Sequence, residues 1–220
     1  MMRFYRISHN TAYNPRMPQI EEIVEGLEEH GTCPQCGVDR RDPAGDLRVL
    51  LGRTRSRRWP DALACGDYPC FVVSDRFLRA MAHCEVRIEP GGKVVLENPA
   101  AANLPPGAAP RYFWIDGERH RAGRMDFEAS GYVDVQFCPE CGTRSDDIEQ
   151  TYDRRHAEPP PPTIFQYDAH SGLDLFTTDL APTAFFCTER VLACAREHTL
   201  TNLSFCPVED GILAKPVKYL

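Results

Sequence analysis

Two cysteine pairs carry the clearest chemical signal in the sequence, Cys33-Pro34-Gln35-Cys36-Gly37 and Cys138-Pro139-Glu140-Cys141-Gly142. A Cys-x-x-Cys turn brings two sulfurs to one side of a tight loop. The glycine that follows can adopt the positive φ that turns backbone N–H groups toward the thiolates. Two such turns complete a tetrahedral four-sulfur shell at metal–sulfur distances of about 2.3 Å. The expected ligands are Cys33, Cys36, Cys138 and Cys141, sharing one Zn2+ ion. A thioredoxin-type redox pair should open a helix, which Gly37 and Gly142 interrupt. Disulfides or metal-free thiols are the remaining readings of the pairs. With four protein thiolates a zinc ion has no open position for water or substrate, so the expected site is structural.

The other six cysteines, Cys65, Cys70, Cys84, Cys187, Cys194 and Cys206, show no pairing pattern. Cys187 and Cys194 sit among apolar residues and read as small core side chains. Cys65, Cys70, His83 and Cys84 could form a second metal site, although their spacing matches no standard knuckle. The seven histidines (His9, His30, His83, His120, His156, His170, His198) belong to no H-E-x-x-H motif. No G-x-S-x-G elbow, P-loop or G-x-G-x-x-G occurs either. No catalytic residues are assigned.

Several elements must position these residues. Residues 3–7 read as a strand. Pro18 opens an expected amphipathic helix with Ile20, Ile23, Val24 and Leu27 on one face, glutamates off it, and Gly31 as its stop. Leu47, Val49 and Leu51 alternate as a strand does, within an arginine-rich stretch from Arg40 to Arg58 that could grip RNA or phosphate but reads first as a solvated loop beside the knuckle. Phe71-Val72-Val73 reads as a strand running into a helix begun by Ser74-Asp75-Arg76. Further strands are expected at Val86–Ile88, Lys93–Leu96, Arg111–Ile115, Tyr132–Phe137, Ile164–Tyr167 and Phe185–Phe186. Residues 98–110 read as an exposed loop, and Pro159–Pro162 as a stiff spacer.

The sequence also echoes itself. Phe71-Val72-Val73-Ser74-Asp75-Arg76-Phe77-Leu78 aligns with Phe185-Phe186-Cys187-Thr188-Glu189-Arg190-Val191-Leu192, 114 positions later, and the cysteine pairs repeat after 105. Ser74 and Thr188 can each cap a helix N-terminus, with Asp75 and Glu189 favouring its positive end. The expected fold is α+β, with two related strand–helix halves joined by a zinc-ribbon-like four-cysteine site. Residues 1–158 would form an N-terminal part holding both knuckles, and residues 163–220 a strand–helix part packed on it as one compact unit.

The chain has 220 residues, a net charge of −7 and 42% hydrophobic residues, which excludes wholesale disorder. No apolar run is long enough to span a bilayer, and the start lacks the apolar core of a secretion signal, so a cytoplasmic protein without membrane contact is expected. In that reducing setting thiols or metal ligands are favoured over disulfides. The acidic balance argues against general nucleic-acid binding, which needs a basic surface.

The doubled CPxCG, the Leu173-Asp174-Leu175-Phe176 segment and the closing Phe185–Phe205 stretch, with Thr188-Glu189-Arg190 and Leu200-Thr201-Asn202-Leu203-Ser204-Phe205, resemble the double-CXXCG proteins of myxobacteria. Members of that family look like immunity proteins of Sit-type swarm-inhibition systems. The resemblance implies a cytosolic, non-catalytic antidote that binds the C-terminal domain of a cognate toxin. It carries over the four knuckle cysteines as metal ligands and no toxin-contact residues. Through electrostatic steering, the glutamates of residues 21–29 could meet a basic toxin surface; otherwise they form a solvated face. The alternatives are a nucleic-acid-binding zinc ribbon and an enzyme with a cleft between the halves.

Overall fold

The Ile20–Ile23 stripe lies on a strand, not on a helix. The computed structural model describes residues 3–9, 17–54, 56, 58–65, 70–99, 104–105, 107, 109–166, 172–179, 181–210 and 218–219. Residues 100–103, 106 and 108 of the expected loop, and Arg55, Arg57, Tyr167 and His170, lie outside them. In this structure β2 (Ile20–Thr32) pairs antiparallel with β3 (Asp39–Leu51) in a long ribbon. Ile20 and Ile23 are both buried although they are three positions apart, whereas a regular strand would place them on opposite faces. Bulges explain this. The register shifts between Ile20 and Glu22 and again between Ile23 and Glu25, so Glu21 and Val24 are extra residues that convert a two-residue period into three. Val24, assigned by its spacing to the apolar stripe, is 48% exposed.

Gly26 belongs to the same ribbon. Its φ is +97°, and a Cβ there would lie 2.5 Å from the Asp46 carbonyl oxygen, so no other residue fits without backbone movement.

The fold is mixed α+β, mostly strands, with three helices among the described residues. One sheet has the order β2-β3-β6-β7-β5-β4, with β4 Ala62–Leu63, β5 Phe71–Ser74, β6 Pro90–Leu96 and β7 Tyr112–Ile115. Its β3–β6 pairing is parallel and the others are antiparallel. A second, antiparallel sheet has the order β10-β11-β1-β12-β13. Its strands are β1 Phe4–His9, β10 Leu175–Thr178, β11 Ala181–Thr188, β12 Leu203–Pro207 and β13 Lys218–Tyr219. β1, from the N-terminal end, therefore lies between two C-terminal strands. The short β8 (Gln136–Phe137) and β9 (Arg144–Ser145) pair only with each other. Val86–Ile88 and residues 132–135 are not strands, and Phe165 makes only an isolated bridge.

β5 runs directly into α1 (Asp75–His83), and β11 into α3 (Glu189–Glu197). The two junctions share a hydrogen-bond pattern. Ser74 N–H donates to the Asp61 carbonyl (2.8 Å), its hydroxyl donates to Asp61 Oδ1 (2.8 Å), and Arg76 donates to Asp61 Oδ2 (2.6 Å). Thr188 N–H donates to the Asp174 carbonyl (2.9 Å), its hydroxyl to Asp174 Oδ1 (2.6 Å), and Arg190 to Asp174 Oδ2 (3.1 Å). Both helices end alike, with Glu85 and Thr199 at φ +60° and +51°. Val86 N–H then closes on the Met81 carbonyl, and Leu200 N–H on that of Ala195. One expectation fails here. Ser74 accepts from Phe77 N–H as a cap while donating to Asp61, but Thr188, which makes the same donation to Asp174, accepts no cap hydrogen bond.

α1 and α3 share one core with the inner faces of both sheets, where Phe71 and Val73 meet Phe185 and Cys187. The alternate residues point away. Val72 enters a second core with Leu47, Val49 and Trp114, and Phe186 enters a third with Phe176 and Met125. Each fully buried side chain of this kind contributes about 1.5–3 kcal/mol. α2 (Ile148–Arg155), polar and short, escapes an apolar-periodicity reading. Its signal is Asp147, which accepts from Gln150 N–H while the Gln150 side chain donates back.

Candidate metal centre

Each CPxCG turn sits at the tip of an antiparallel pair. β2 and β3 flank the first, with Thr32 opposite Asp39; β8 and β9 flank the second, with Phe137 opposite Arg144. The turns repeat each other bond for bond. Cys33 N–H donates to the Val38 carbonyl and Gly37 N–H to Cys33, both at 2.9 Å. Cys138 N–H donates to Thr143 at 2.9 Å and Gly142 N–H to Cys138 at 2.8 Å. Gly37 and Gly142 take φ of +72° and +70°, with open space where a Cβ would stand. Backbone conformation, not crowding, selects glycine there.

The four expected ligands come together: the sulfurs of Cys33, Cys36, Cys138 and Cys141 all lie within 4.8 Å of one another and could hold a metal ion. Cys33 and Cys138 are 3.8 Å apart and Cys36 and Cys141 3.5 Å. A tetrahedral ion with metal–sulfur bonds of about 2.3 Å needs sulfur–sulfur edges of about 3.8 Å. Those two edges lie within a few tenths of an ångström of that value, and the other four are no longer than 4.8 Å. Cys33 is buried and Cys36 exposed, so the cluster opens on the surface along one edge.

Electrostatics distinguishes the four thiols. Thr143 Oγ1 lies 3.1 Å from Cys141 Sγ, and a proton donated by this hydroxyl, helped by the Thr143 N–H, pulls Cys141 down to about 6. Val38 N–H favours the Cys36 thiolate, but desolvation and the hydrogen bonds shared with Cys141, Cys33 and Cys138 outweigh it and push Cys36 up to about 12. Cys141 therefore offers the first thiolate to an incoming cation, and each further metal–sulfur bond displaces a proton.

Cys65, Cys70, His83 and Cys84 do not form one group. Cys65 and Cys70 face each other in the second core with sulfurs 2.8 Å apart. Cys84 instead lies beside Cys194 and His198. Cys187 is fully buried, as its apolar setting implies, and burial pushes its thiol up.

The glutamates of residues 21–29 lie along β2, and arginines of β3 answer two of them: Arg48 contacts Glu25 (3.1 Å) and Arg41 contacts Glu29 (3.5 Å). Arg41 and Arg48 of the arginine-rich stretch thus serve the ribbon beneath the first knuckle. Beside the second knuckle is a surface hollow of about 260 Å3 lined by Gln35, Val38, Phe137 and Arg144. Arg144 also borders a hollow of about 460 Å3 with Arg6, Tyr132, Tyr152, Arg155 and His156. There Arg155 and Arg144 stand 4.2 and 4.7 Å from the Tyr132 ring centroid, and His156 stacks on Tyr152 at 3.7 Å. Burial lowers the Arg155 pKa, and the nearby Arg6 and Arg144 charges act in the same direction.

Neither protein-family models nor curated proteins yield a match to this chain. Among the described residues no helix is long and apolar enough to cross a membrane.

Proposed function

We propose that this chain is an immunity protein of the double-CXXCG type, which neutralises a cognate contact-delivered toxin by binding its C-terminal domain in the cytoplasm. The supporting observation is the four-sulfur cluster. Its sulfur–sulfur distances suit Zn2+, and four thiolates fill the tetrahedral shell, so the ion serves as a staple and not as a reaction centre. The matching Asp61–Ser74–Arg76 and Asp174–Thr188–Arg190 junctions support two related strand–helix halves as the architecture it braces.

The toxin-contact face in this reading runs from the knuckles to α2. Val38, Phe137, Ile148 and Tyr152 are exposed apolar or aromatic side chains, 40–81% accessible. Arg144 connects the two hollows that contain them, and Arg6 and Arg155 add positive charge. Exposed aromatics beside arginines are the composition of interface centres. Asp146 pairs with Arg144 there at 2.9 Å, and with Arg6 and Arg155 as the further charges the face suits an acidic toxin surface. The earlier candidate, the β2 glutamates, is partly neutralised by Arg41 and Arg48.

Co-expression with the C-terminal domain encoded by the adjacent open reading frame tests the proposal. Growth rescue together with a one-to-one complex is expected, and Phe137→Ala with Arg155→Glu should weaken that complex at least tenfold. Rescue without a complex refutes neutralisation by binding. An intact complex in the double variant refutes the assigned face.

A further inference from the structure

The C-terminal ends of α1 and α3 converge on three side chains that the four-cysteine centre does not use. Cys84 is the C-cap of α1 and His198 the C-cap of α3, and Cys194 precedes His198 by one helical turn. A ligand atom from each of Cys84, Cys194 and His198 lies within 4.8 Å of the other two. His198 Nε2 is buried and has no hydrogen-bond partner. An orphaned buried nitrogen costs about 1–3 kcal/mol unless something fills the place opposite it. The negative ends of two helices also favour a cation there. Arg76 already answers part of that field by donating to the Thr199 carbonyl (3.3 Å), but it does not meet the Nε2 atom.

We propose that Cys84, Cys194 and His198 form a second metal site, taking a borderline divalent cation with an affinity for thiolate and imidazole, as Zn2+ has. Two sulfurs and one ring nitrogen supply three ligands of a tetrahedral shell, and the fourth position is left to water or an exogenous donor. His83 and Glu197 are the adjacent donors, each with a ligand atom within 4.8 Å of His198. Binding displaces the thiol proton that Cys194 now shares with the Ala80 carbonyl at 3.1 Å, along with that of Cys84. Such an ion would cross-link α1 to α3 at equivalent points of the two strand–helix units, since Cys84 and His198 are 114 positions apart. The inference does not depend on the toxin reading.

Metal counting on the full chain decides it. The purified protein is exposed to excess Zn2+, desalted and measured by native mass spectrometry. Two ions are expected for the natural sequence, and one for Cys84→Ser and for His198→Gln. Cys138→Ser should lose the other ion while keeping this one. As a second readout, Co2+ should give sulfur charge-transfer absorption in a protein lacking the first site, and that absorption should vanish in Cys84→Ser. His198→Gln decides the stoichiometry even where Cys84→Ser fails to fold. One ion in the natural sequence, or two ions retained in His198→Gln, overturns the proposal.

Discussion

Replacing Cys138 by serine tests the staple. An ion shared by Cys33 and Cys138 closes a loop across 105 positions. For a covalent cross-link over about 100 residues, the chain-entropy model gives about 4.7 kcal/mol of stabilisation, which is the upper range for a metal link of the same span. At about 2.1 cal/mol/K of unfolding entropy per residue, a domain of this length should lose about 10 °C in Tm. The assay is thermal denaturation by far-UV circular dichroism, before and after chelation, together with zinc content by elemental analysis. Compared in a His198→Gln background, which lacks the second ion, the Cys138→Ser variant should contain less zinc, melt about 10 °C lower, and no longer respond to chelator. The His198→Gln protein stripped of metal should melt at the same lowered temperature. Full zinc content with an unchanged melt refutes the ligand assignment. Lost zinc with a shift under about 2 °C refutes the staple, leaving the ion to order only its own hairpins.

Three further outcomes follow from particular contacts. Thr143→Val removes the hydroxyl that holds the Cys141 thiol down near 6, so in metal-free protein at pH 7 alkylation of Cys141 should slow. Because that pKa lies below its unfolded value, the thiolate's stabilising contribution is complete above an unfolded cysteine pKa of about 8.5 and is lost as pH falls toward 6. The pH dependence of metal-free stability between those limits should flatten in Thr143→Val, as urea titrations at several pH values would show. Asp61→Ala should cost about 3 kcal/mol, since this buried carboxylate accepts from Ser74, Arg76 and Thr201, and Asp174→Ala about half as much, with Thr188 and Arg190 as its partners. Equal urea midpoints for the two variants would contradict that ranking. Gly26→Ala places a Cβ 2.5 Å from the Asp46 oxygen at a positive φ and should destabilise by about 2 kcal/mol or more, measured the same way.

What the sequence disclosed followed the range of the forces involved. The knuckles were legible because Cys-x-x-Cys-Gly fixes geometry within five residues, and their doubling implied a partner for each. The strand-to-helix junctions at Ser74 and Thr188 were legible for the same reason, down to the residue that opens each helix. Residues 20–32 misled because Ile20, Ile23, Val24 and Leu27 have helical spacing, while pairing with β3 forces extra residues at Glu21 and Val24. That pairing is non-local and outweighs intrinsic propensity. Thr188 shows a subtler limit. Its type suits a cap, yet its oxygen accepts nothing from the helix N-terminus, and its one side-chain bond runs to Asp174, adjacent only in space. The Cys84, Cys194 and His198 cluster was hidden likewise, because helix packing alone brings those positions together.

The second knuckle shows what a metal bound by the four cysteines would contribute. β8 and β9 have two residues each and pair with no other strand, and an isolated hairpin of that size is unstable in water. On one side it is tethered by aromatic packing, with Phe137 on Phe127 at 5.8 Å and Arg144 over Tyr132. On the other side the sulfur cluster faces the tip of the thirteen-residue ribbon strands β2 and β3, and Arg40 of β3 donates to the Cys141 carbonyl at 3.4 Å. Arg144 and Phe137 thus owe their positions to both tethers, and both residues lie on the proposed toxin face. Removal of the ion should therefore weaken toxin binding even though no toxin atom touches the metal, mainly through faster dissociation as the hairpin loosens. Restored Zn2+ should restore the dissociation rate in the natural sequence but not in Cys138→Ser. An unaltered rate in metal-free protein would place the contact face elsewhere on the molecule.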